Sequence, residues 1–326
     1  MMDSDSIYTD KFLDHFINPR NVGEIENPDG YAKVGDPQCG DYIKVWLKIE
    51  DDTITDYKYK VFGCGGAIAT TSVVSELAIG RRLRDAIDLT DDIVIQALGG
   101  IPENKAHCSL LGIQGLRTAL ADYFIKQNHL RYEERLDLYR RYGYNITMAR
   151  DRLVKKFTAS PDSAKMLDIG TGKGHLALAL ARAGFRCVSV DVSKDELHYA
   201  SLNALYFQLD HLIDFQNHDA ARLSFEPHSF DGIASADLIH HLPDPQPVLT
   251  EMLRVCKPTG RIIITDFSQK GFEIMNEAHL SEGRIHPVTG WKIEKVAQWF
   301  ADKNCHVQSV EEVCEIVLII EPILST

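Results

Sequence analysis

The sequence predicts two domains in one chain, the second of them an open α/β sheet. The chain has 326 residues, about the length of two domains that each bury a core. In the first third, a β-hairpin pattern and helical stretches surround three cysteines. In the second half, a glycine-rich loop lies between an apolar strand and a helix. A loop at this position is where open α/β sheets bind ligands.

Composition and charge exclude several classes of function. The formal net charge of -12 argues against binding to nucleic-acid backbones. The first residues, Met1 to Ser6, show no signal-peptide pattern, and no apolar run approaches the ~20 residues that span a bilayer. We therefore expect a cytoplasmic protein with neither a nucleic-acid nor a membrane partner. Homo-oligomerisation stays open.

The first domain begins with a helix and a β-hairpin. The segment Tyr8–Ile17 is amphipathic and is followed by a proline that ends the helix. Alternating stretches at Tyr42–Ile49 and Thr53–Phe62 flank an acidic turn and predict two antiparallel strands. Cys39 precedes the first strand and Cys64 follows the second. Because a hairpin brings its open ends together, we expect these two cysteines to lie close to each other.

Two of the cysteines precede helices. The periodic runs Ala67–Ala78 and Ser109–Tyr123 predict helices that begin just after Cys64 and Cys108. A helix amino terminus favours the thiolate, which is the form that binds metal or attacks sulfur. The four remaining cysteines are expected to be buried core residues: Cys187, Cys256, Cys305 and Cys314.

The first three cysteines predict a soft metal or sulfur site. Three thiolates leave one position of a tetrahedral ion or an iron–sulfur cluster to another ligand, which Asp41 or His107 could supply. A hard carboxylate is a poor permanent partner for a soft centre. Such a site suits the transfer of a bound metal ion or cluster better than its storage.

The first domain contains the motifs Asn18–Gly23, Cys39-Gly40-Asp41, Phe62–Ala69 and His107-Cys108-Ser109. In these motifs it resembles the IscU/NifU-type iron–sulfur cluster assembly scaffolds over about Tyr8 to Gln127. This resemblance implies an α+β scaffold fold and a [2Fe-2S] cluster on Cys39, Cys64 and Cys108, with zinc as another occupant. It also implies a cysteine desulfurase and iron–sulfur acceptor proteins as partners, with Asp41 favouring release. The segment Ile101–Lys105 departs from the IscU pattern and favours the NifU branch.

The domain boundary is expected near Asn128, giving domains of residues 1–128 and 129–326. The connection to Ala164 has charged helical stretches at Tyr132–Arg141 and Thr147–Phe157. It contains no low-complexity tract, so we expect it to be structured and to belong to the second domain.

The second domain opens on a strand that runs into glycines. Asp168 lies in the strand, and Gly170, Gly172 and Gly174 follow it, before a helical run. Glycines allow close approach of a ligand to the backbone. The spacing fits neither a dinucleotide fingerprint nor a phosphate loop. A second strand ends at Asp191, which is placed to accept hydrogen bonds from ribose hydroxyls.

Beyond the glycine loop, further motifs occur in the segments Asn217–Ala220, Ser229–Ser235, Leu238–Pro245 and Leu253–Ile264. With this ordered set, the chain resembles the class I S-adenosylmethionine-dependent methyltransferases over about residues 140 to 320. The resemblance implies a doubly wound, seven-stranded, Rossmann-like sheet closed by an antiparallel pair at Val307–Val310 and Ile316–Ile320. It places the amino-acid part of S-adenosylmethionine on the Asp168–Gly174 loop, the ribose on Asp191, and the adenine at Asp219 and Ala220.

Methyl transfer needs mainly alignment of the acceptor and exclusion of water. A base is needed only where the acceptor must lose a proton, and His240 is the candidate. The acceptor is expected to be a small molecule. The segment Phe272–Trp291 is either part of its binding site or an ordinary lid helix.

Two hypotheses follow for the whole chain. In the first, a cluster scaffold or carrier is fused to an active methyltransferase. In the second, only one half performs the expected function: either the first domain is a structural or metal-sensing module, holding zinc or an iron–sulfur cluster, or the second binds S-adenosylmethionine without turnover.

Overall fold

The computed structural model describes residues 8–35, 41–101, 106–285 and 287–323, and it describes side chains in these ranges except at residues 106–110. The chain divides into two compact units, Met1–Gln127 and Asn128–Thr326. Within the described residues, no helix combines the length and the apolar character needed to cross a membrane.

Unit 1 contains a three-stranded antiparallel sheet in the order β1-β2-β3. Its elements, in chain order, are α1 Asp10–Ile17, β1 Gly30–Gly35, β2 Tyr42–Glu50, β3 Thr53–Phe62, α2 Gly65–Ala78, α3 Leu83–Ile87 and α4 Asp91–Ala97. The expected hairpin is confirmed as β2 and β3. Its two turn residues, Asp51 and Asp52, have φ values of 48° and 61°, as a two-residue type I′ turn requires.

One face of the sheet packs against helices to form the core of unit 1. Ile43, Val45 and Leu47 alternate along β2, and each is fully buried. The helix α5, Ala106–Arg141, crosses this face closely at Gly115, where an added Cβ would lie 2.5 Å from Ile43 Cδ1. A larger residue at this position would force the Ile43 side chain or the helix to shift.

The helix α5 differs from the sequence-based expectation. Separate helices were predicted on either side of residue 128, whereas one helix of 36 residues covers both stretches. The chain has neither glycine nor proline between Gly115 and Arg141, so nothing in this segment breaks the backbone hydrogen bonding. The helix ends before Gly143, whose φ of 94° is typical of a helix C-terminus.

Unit 2 is a seven-stranded sheet in the order β6-β5-β4-β7-β8-β10-β9. The strands are β4 Lys165–Ile169, β5 Arg186–Asp191, β6 Ile213–Asn217, β7 Phe230–Ala236, β8 Cys256–Phe267, β9 Cys305–Glu311 and β10 Glu315–Pro322. The helices are α6 Ile146–Val154, α7 His175–Arg182, α8 Lys194–Tyr206, α9 Gln246–Val255, α10 Gln269–Ser281 and α11 Ile293–Asp302.

The sheet of unit 2 has the predicted doubly wound topology. Strands β4 to β8 pair in parallel, and β10 pairs antiparallel with both β8 and β9. Strands β5 and β6 lie on one side of β4, and β7, the next strand in the chain, lies on the other side of β4. The crevice between the carboxyl ends of β4 and β7 is therefore the topological switch point, where sheets of this kind bind ligands.

Candidate functional site

The open end of the β2–β3 hairpin brings Asp41 and Cys64 together. Tyr42 pairs with Phe62, and their rings stack with centroids 4.5 Å apart. Just beyond this pair, the backbone N–H of Cys64 donates to Asp41 Oδ2 over 3.2 Å. A Cβ at Gly63 would lie 2.8 Å from Asp41 Cγ, so the glycine makes room for the carboxylate.

Cys64 is half-buried and is the N-cap residue of α2. Its side chain makes no capping hydrogen bond, so the thiol is not required to start the helix. The amino-terminal end of α2, where backbone N–H groups have no partner within the helix, therefore lies at this cysteine. Of the other predicted ligands, Cys39 and the side chains of His107 and Cys108 lie outside the described residues. The described residues therefore contain two of the five predicted ligands, and no complete metal site occurs among them.

The segment after α1 is hydrogen-bonded to buried hydroxyls of α2. The backbone N–H of Arg20 donates to Ser72 Oγ over 2.9 Å, and Asn21 Nδ2 donates to Ser75 Oγ over 3.0 Å. His15 Nδ1 lies 2.8 Å from the same Ser72 Oγ. These contacts explain the Asn18–Gly23 motif in structural terms, because they fix the N-terminal segment beside the helix that begins at Cys64.

In unit 2, the loop after β4 lies at the switch point. The backbone N–H groups of Gly170 and Thr171 both donate to the carbonyl oxygen of Val190, over 2.9 and 3.1 Å. Gly170, Gly172 and Gly174 all have positive φ, of 82°, 50° and 84°. An added Cβ at Gly172 would meet no atom within 4 Å. The loop is thus hydrogen-bonded to β5, and the space next to Gly172 is open. A ligand could therefore bind against the backbone of the loop.

Asp191, at the end of β5, supports this loop. Its Oδ2 accepts from the Gly172 N–H over 3.0 Å, and its Oδ1 accepts from the Ser193 N–H over 2.9 Å. Each carboxylate oxygen has a second lone pair, so the predicted bonds to ribose hydroxyls remain compatible with these contacts.

The residues predicted to meet the adenine lie on the same sheet edge as Asp191. Asn217 pairs with Asp191 at the ends of β6 and β5, and its amide donates to the Asp191 carbonyl oxygen over 2.9 Å. Asp219 is exposed, and its Oδ1 accepts from the Ala221 N–H over 2.9 Å. Ala220 is half-buried. The structure therefore brings the expected ribose and adenine positions together.

Asp168 is fully buried beneath the loop. Its Oδ2 accepts from Ser189 Oγ over 2.7 Å, and Ser189 Oγ lies 2.7 Å from Thr171 Oγ1. Its other oxygen has no hydrogen-bond partner among the described residues. Burial raises the pKa of Asp168 to about 7. The side chain thus holds the loop from within rather than presenting a carboxylate to solvent.

This raised pKa predicts a pH-dependent stability. An unfolded aspartate ionises near pH 3.9, whereas folded Asp168 keeps its proton up to about pH 7. The folded protein binds more protons between these values, so the contribution of Asp168 to stability falls as the pH rises through this range. Asp168→Asn cannot ionise. The difference in the free energy of unfolding between Asp168→Asn and wild type should therefore change with pH. Between about pH 5 and about pH 8 we expect this difference to shift in favour of Asp168→Asn by more than about 1 kcal/mol, since one pKa unit is worth about 1.4 kcal/mol.

Urea denaturation at several pH values measures this difference. Asp162→Asn, at an exposed position of the same unit, is the matched control and should follow the wild-type profile. A constant difference between Asp168→Asn and wild type would contradict the prediction.

His240 lies in a short 3₁₀ turn, Ile239–His241, after β7. It is 1% exposed. Its Nδ1 is 2.5 Å from Asp266 Oδ1, and its backbone N–H donates to Asp266 Oδ2 over 3.0 Å. Sequence reasoning singled out His240 but missed Asp266. The available signal was an acidic residue at the carboxyl end of the apolar strand β8.

A buried ionic cluster near this turn was also missed. Arg150, on α6, pairs with Glu315 over 2.5 Å and also with Asp237, and both Arg150 and Glu315 are 2% exposed. Tyr144 Oη donates to Glu315 Oε1 over 2.6 Å. Burial raises the pKa of Asp237, although Arg150 opposes this shift. Asp237 has a φ of 55°, an uncommon conformation for a residue other than glycine.

A cavity of about 470 Å³ opens beside His240. Phe267, Phe272 and Trp291 contribute aromatic walls, and Asp266 also lines it. The segment Phe272–Trp291, expected to be either an acceptor site or a lid, thus contributes the helix α10 and a following loop to one cavity. The loop is held by N–H groups of Thr289 and Gly290, which both donate to the His240 carbonyl oxygen over 2.8 Å.

Two family models match this chain. Residues 7–130 match the family model described as NifU-like N terminal domain, and residues 167–264 match the model described as Methyltransferase domain. Iron-sulfur cluster assembly scaffold protein IscU 1 of Archaeoglobus fulgidus is 48% identical over 124 residues, which are 38% of this chain and 81% of that protein.

Two further known proteins are similar to this chain. Nitrogen fixation protein NifU of Azotobacter chroococcum is 32% identical over 168 residues, which are 51% of this chain and 54% of that protein. These two identities give no support to the expected preference for the NifU branch. A SAM-dependent methyltransferase from Aquifex aeolicus, known as a crystal structure, is 20% identical, with a TM-score of 0.43 over 52% of this chain and 88% of that one. Through residues 7–130 the chain belongs to the IscU/NifU family of iron–sulfur cluster assembly scaffolds, and residues 167–264 of its second unit are similar to a methyltransferase domain.

Proposed function

We propose that residues 1–128 assemble a [2Fe-2S] cluster on Cys39, Cys64 and Cys108, with Asp41 or His107 completing the ligand set. The observation that carries the proposal is Cys64 at the amino terminus of α2, with its N–H bonded to Asp41. A carboxylate next to soft thiolate ligands gives a site that releases its cargo more readily than four thiolates would.

The proposed partners are a cysteine desulfurase, which delivers sulfur, and acceptor proteins, which take the cluster. Exposed apolar side chains near Cys64 support protein docking at this end of unit 1. Phe16, Ile17 and Phe62 are 42%, 68% and 48% exposed. An added Cβ at Gly65 would lie 2.8 Å from the Phe16 ring, so Phe16 borders the start of α2. Exposed apolar groups of this kind mark interaction surfaces.

Anaerobic reconstitution of the whole chain tests the scaffold proposal. The chain is incubated with ferrous iron, zinc, cysteine, a cysteine desulfurase and a thiol reductant, and iron, zinc, acid-labile sulfide and visible absorption are measured. We expect iron and sulfide in equal amounts, together with transfer of the cluster to an apo-ferredoxin. Uptake of zinc without any cluster formation would instead favour a structural or metal-sensing role for this unit.

We propose further that residues 129–326 bind S-adenosylmethionine and methylate a small-molecule acceptor. Support comes from the open backbone at Gly172, the bond from its N–H to Asp191, and the neighbouring end of β6. In this proposal the Asp168–Gly174 loop holds the amino-acid part, Asp191 holds the ribose, and Asp219 with Ala220 meets the adenine.

The sulfonium of S-adenosylmethionine supplies the methyl group. The residues of the chain align the acceptor, exclude water and, where the acceptor must lose a proton, accept it. His240 is the proposed base, because it borders the cavity near the ends of β7 and β8 and its imidazole is held by Asp266.

Substitution of Gly172 by arginine is expected to abolish binding of S-adenosylmethionine, because the new side chain would fill the space over the loop. Gly283→Arg is the matched control: Gly283 also has positive φ, 69°, and an added Cβ there meets no atom within 4 Å. Both substitutions therefore carry a similar backbone strain. Titration calorimetry should show binding by wild type and Gly283→Arg only. Equal binding by Gly172→Arg would disprove the proposed site.

A further inference from the structure

The buried ionic cluster of Arg150, Asp237 and Glu315 carries an inference about cofactor selectivity, which rests on the proposed binding of S-adenosylmethionine. In this cluster two carboxylates face one guanidinium. When both carboxylates are ionised, one negative charge has no counter-charge within the cluster. An uncompensated charge is costly inside a protein. A cation that binds beside the cluster would lower this cost, because charges interact strongly where water is excluded.

The cluster is open to a ligand at Asp237. The side chains of Arg150 and Glu315 are buried, whereas that of Asp237 is 16% exposed. Asp237 Oδ2 pairs with Arg150 and accepts from Tyr144 Oη over 3.5 Å. The other oxygen, Oδ1, is buried and has no hydrogen-bond partner among the residues that the structure describes. Of the three charged side chains, that of Asp237 is therefore the one that a ligand can approach.

Asp237 lies between the glycine loop and the cavity beside His240. It follows β7, and its N–H donates to the Thr265 carbonyl oxygen over 2.9 Å. The next residue, Leu238, packs on the loop, since an added Cβ at Gly170 would lie 3.0 Å from Leu238 Cδ2. His240, three residues after Asp237, lines the cavity. A methyl group that passes from a cofactor on the loop to an acceptor in the cavity therefore moves through the region near Asp237.

The charged groups around Asp237 leave its pKa raised. Burial is the largest cause, and the Glu315 and Asp266 carboxylates add to it. Arg150 and His240 oppose the shift without cancelling it. The protein without ligand thus holds a proton on Asp237 at a higher pH than an ordinary aspartate does. A cation that binds nearby favours the ionised carboxylate, so this proton should leave to solvent on binding.

The sulfonium of S-adenosylmethionine fits this position by its chemistry. It is a cation without N–H or O–H groups, so a protein recognises it by charge rather than by hydrogen bonds. An ammonium group donates hydrogen bonds and would need an exposed oxygen, whereas Asp237 Oδ1 is buried. We propose that Asp237 selects S-adenosylmethionine over S-adenosylhomocysteine, the product whose sulfur is uncharged, through the attraction between its carboxylate and the sulfonium.

Titration calorimetry on the whole chain with these two ligands tests the proposal. The ligands share their adenosine and amino-acid parts and differ in the methyl group and the charge at sulfur. In Asp237→Asn we expect the affinity for S-adenosylmethionine to fall about tenfold or more, which is about 1.4 kcal/mol. The affinity for S-adenosylhomocysteine should change by less than about threefold, which is well under 1.4 kcal/mol. The ratio of the two affinities is therefore the quantity that reports on the charge.

Asparagine keeps the shape of the aspartate side chain and is one of the residues that tolerate positive φ, so it suits the φ of 55° at this position. Asp231→Asn is the matched control. Asp231 lies at the amino end of the same strand, where it pairs with Lys257 over 2.7 Å. This variant loses the same charge at the opposite end of β7 and should keep the wild-type ratio of affinities.

Proton release by the wild-type protein gives a second measurement that needs no variant. Calorimetry in buffers of different ionisation enthalpy counts the protons released on binding. At about pH 6, below the usual range of α-amino groups, S-adenosylmethionine should release more protons than S-adenosylhomocysteine. In Asp237→Asn this difference should disappear.

Two results would overturn the inference while leaving cofactor binding intact. The first is the same change, or no change, in the affinities of Asp237→Asn for both ligands, as expected if Asp237 only supports the fold or faces the ammonium group. The second is equal proton release by the two ligands in wild type. Failure of wild type to bind either ligand would instead overturn the proposed function of the unit.

Discussion

Cys64→Ala is expected to reduce reconstituted iron and sulfide to background. One of the three proposed thiolate ligands is lost, and a cluster bridged by sulfide is not held by the two that remain. The helix itself should be unaffected, because the Cys64 side chain makes no capping hydrogen bond to α2. The measurement is anaerobic reconstitution with iron and sulfide analysis, accompanied by circular dichroism to verify folding.

The matched control for this experiment is Cys305→Ala. Cys305 lies in unit 2 at the start of β9 and is 8% exposed, and burial raises the pKa of its thiol. This variant should assemble the wild-type amount of cluster. Wild-type amounts of iron and sulfide in Cys64→Ala would show that the cluster forms elsewhere and would refute the proposed ligand set.

Arg150→Met is expected to destabilise unit 2 by about 3–5 kcal/mol, the usual effect of removing one partner of a buried ion pair. Arg150 is the guanidinium shared by Glu315 and Asp237. Its loss would leave two carboxylates without their counter-charge inside the unit. Arg182→Met removes a half-exposed pair with Asp151 and should change stability by less than about 1 kcal/mol.

Tryptophan fluorescence can follow this unit by itself. The chain has three tryptophans, of which Trp46 lies in unit 1 and Trp291 and Trp299 lie in unit 2. Urea denaturation in a Trp46→Phe background therefore reports on unit 2. Combining Arg150→Met with Glu315→Gln and Asp237→Asn should recover part of the lost stability, since no unpaired charge is then buried. A change below about 1 kcal/mol for Arg150→Met would contradict the inferred role of the cluster.

Much of the fold could be predicted from local sequence signals. The β2–β3 hairpin follows from strand alternation around an acidic turn, and the strand, glycine loop and helix at residues 165–182 follow from apolar runs interrupted by glycine. The short strand β1 and the helices α3 and α4 were missed, because segments of five to seven residues carry too few periodic positions. The sequence predicted two helices in place of the single helix α5, because the polar residues in its middle are typical of a connecting segment.

Some site residues could likewise be predicted from the sequence, and others could not. Asp41, Cys64, Gly172 and Asp191 stood next to recognisable motifs and could be named from the sequence. Asp266 and Arg150 could not. A single aspartate at a strand end or a single arginine in an amphipathic helix gives no local sign of its partner, and those partners are 26, 87 and 165 residues away in the chain.

The sequence by itself determined that the first domain resembles the iron–sulfur scaffolds and the second resembles the methyltransferases, because cysteine–glycine motifs and a strand, glycine loop and helix in succession can be recognised locally along the chain. Only the tertiary structure decided that Asp266 bonds to His240, that an aromatic cavity borders this pair, and that Arg150 pairs with two carboxylates of unit 2. These features depend on side chains that distant strands and helices bring within hydrogen-bonding distance, and on the burial that makes an unpaired charge costly.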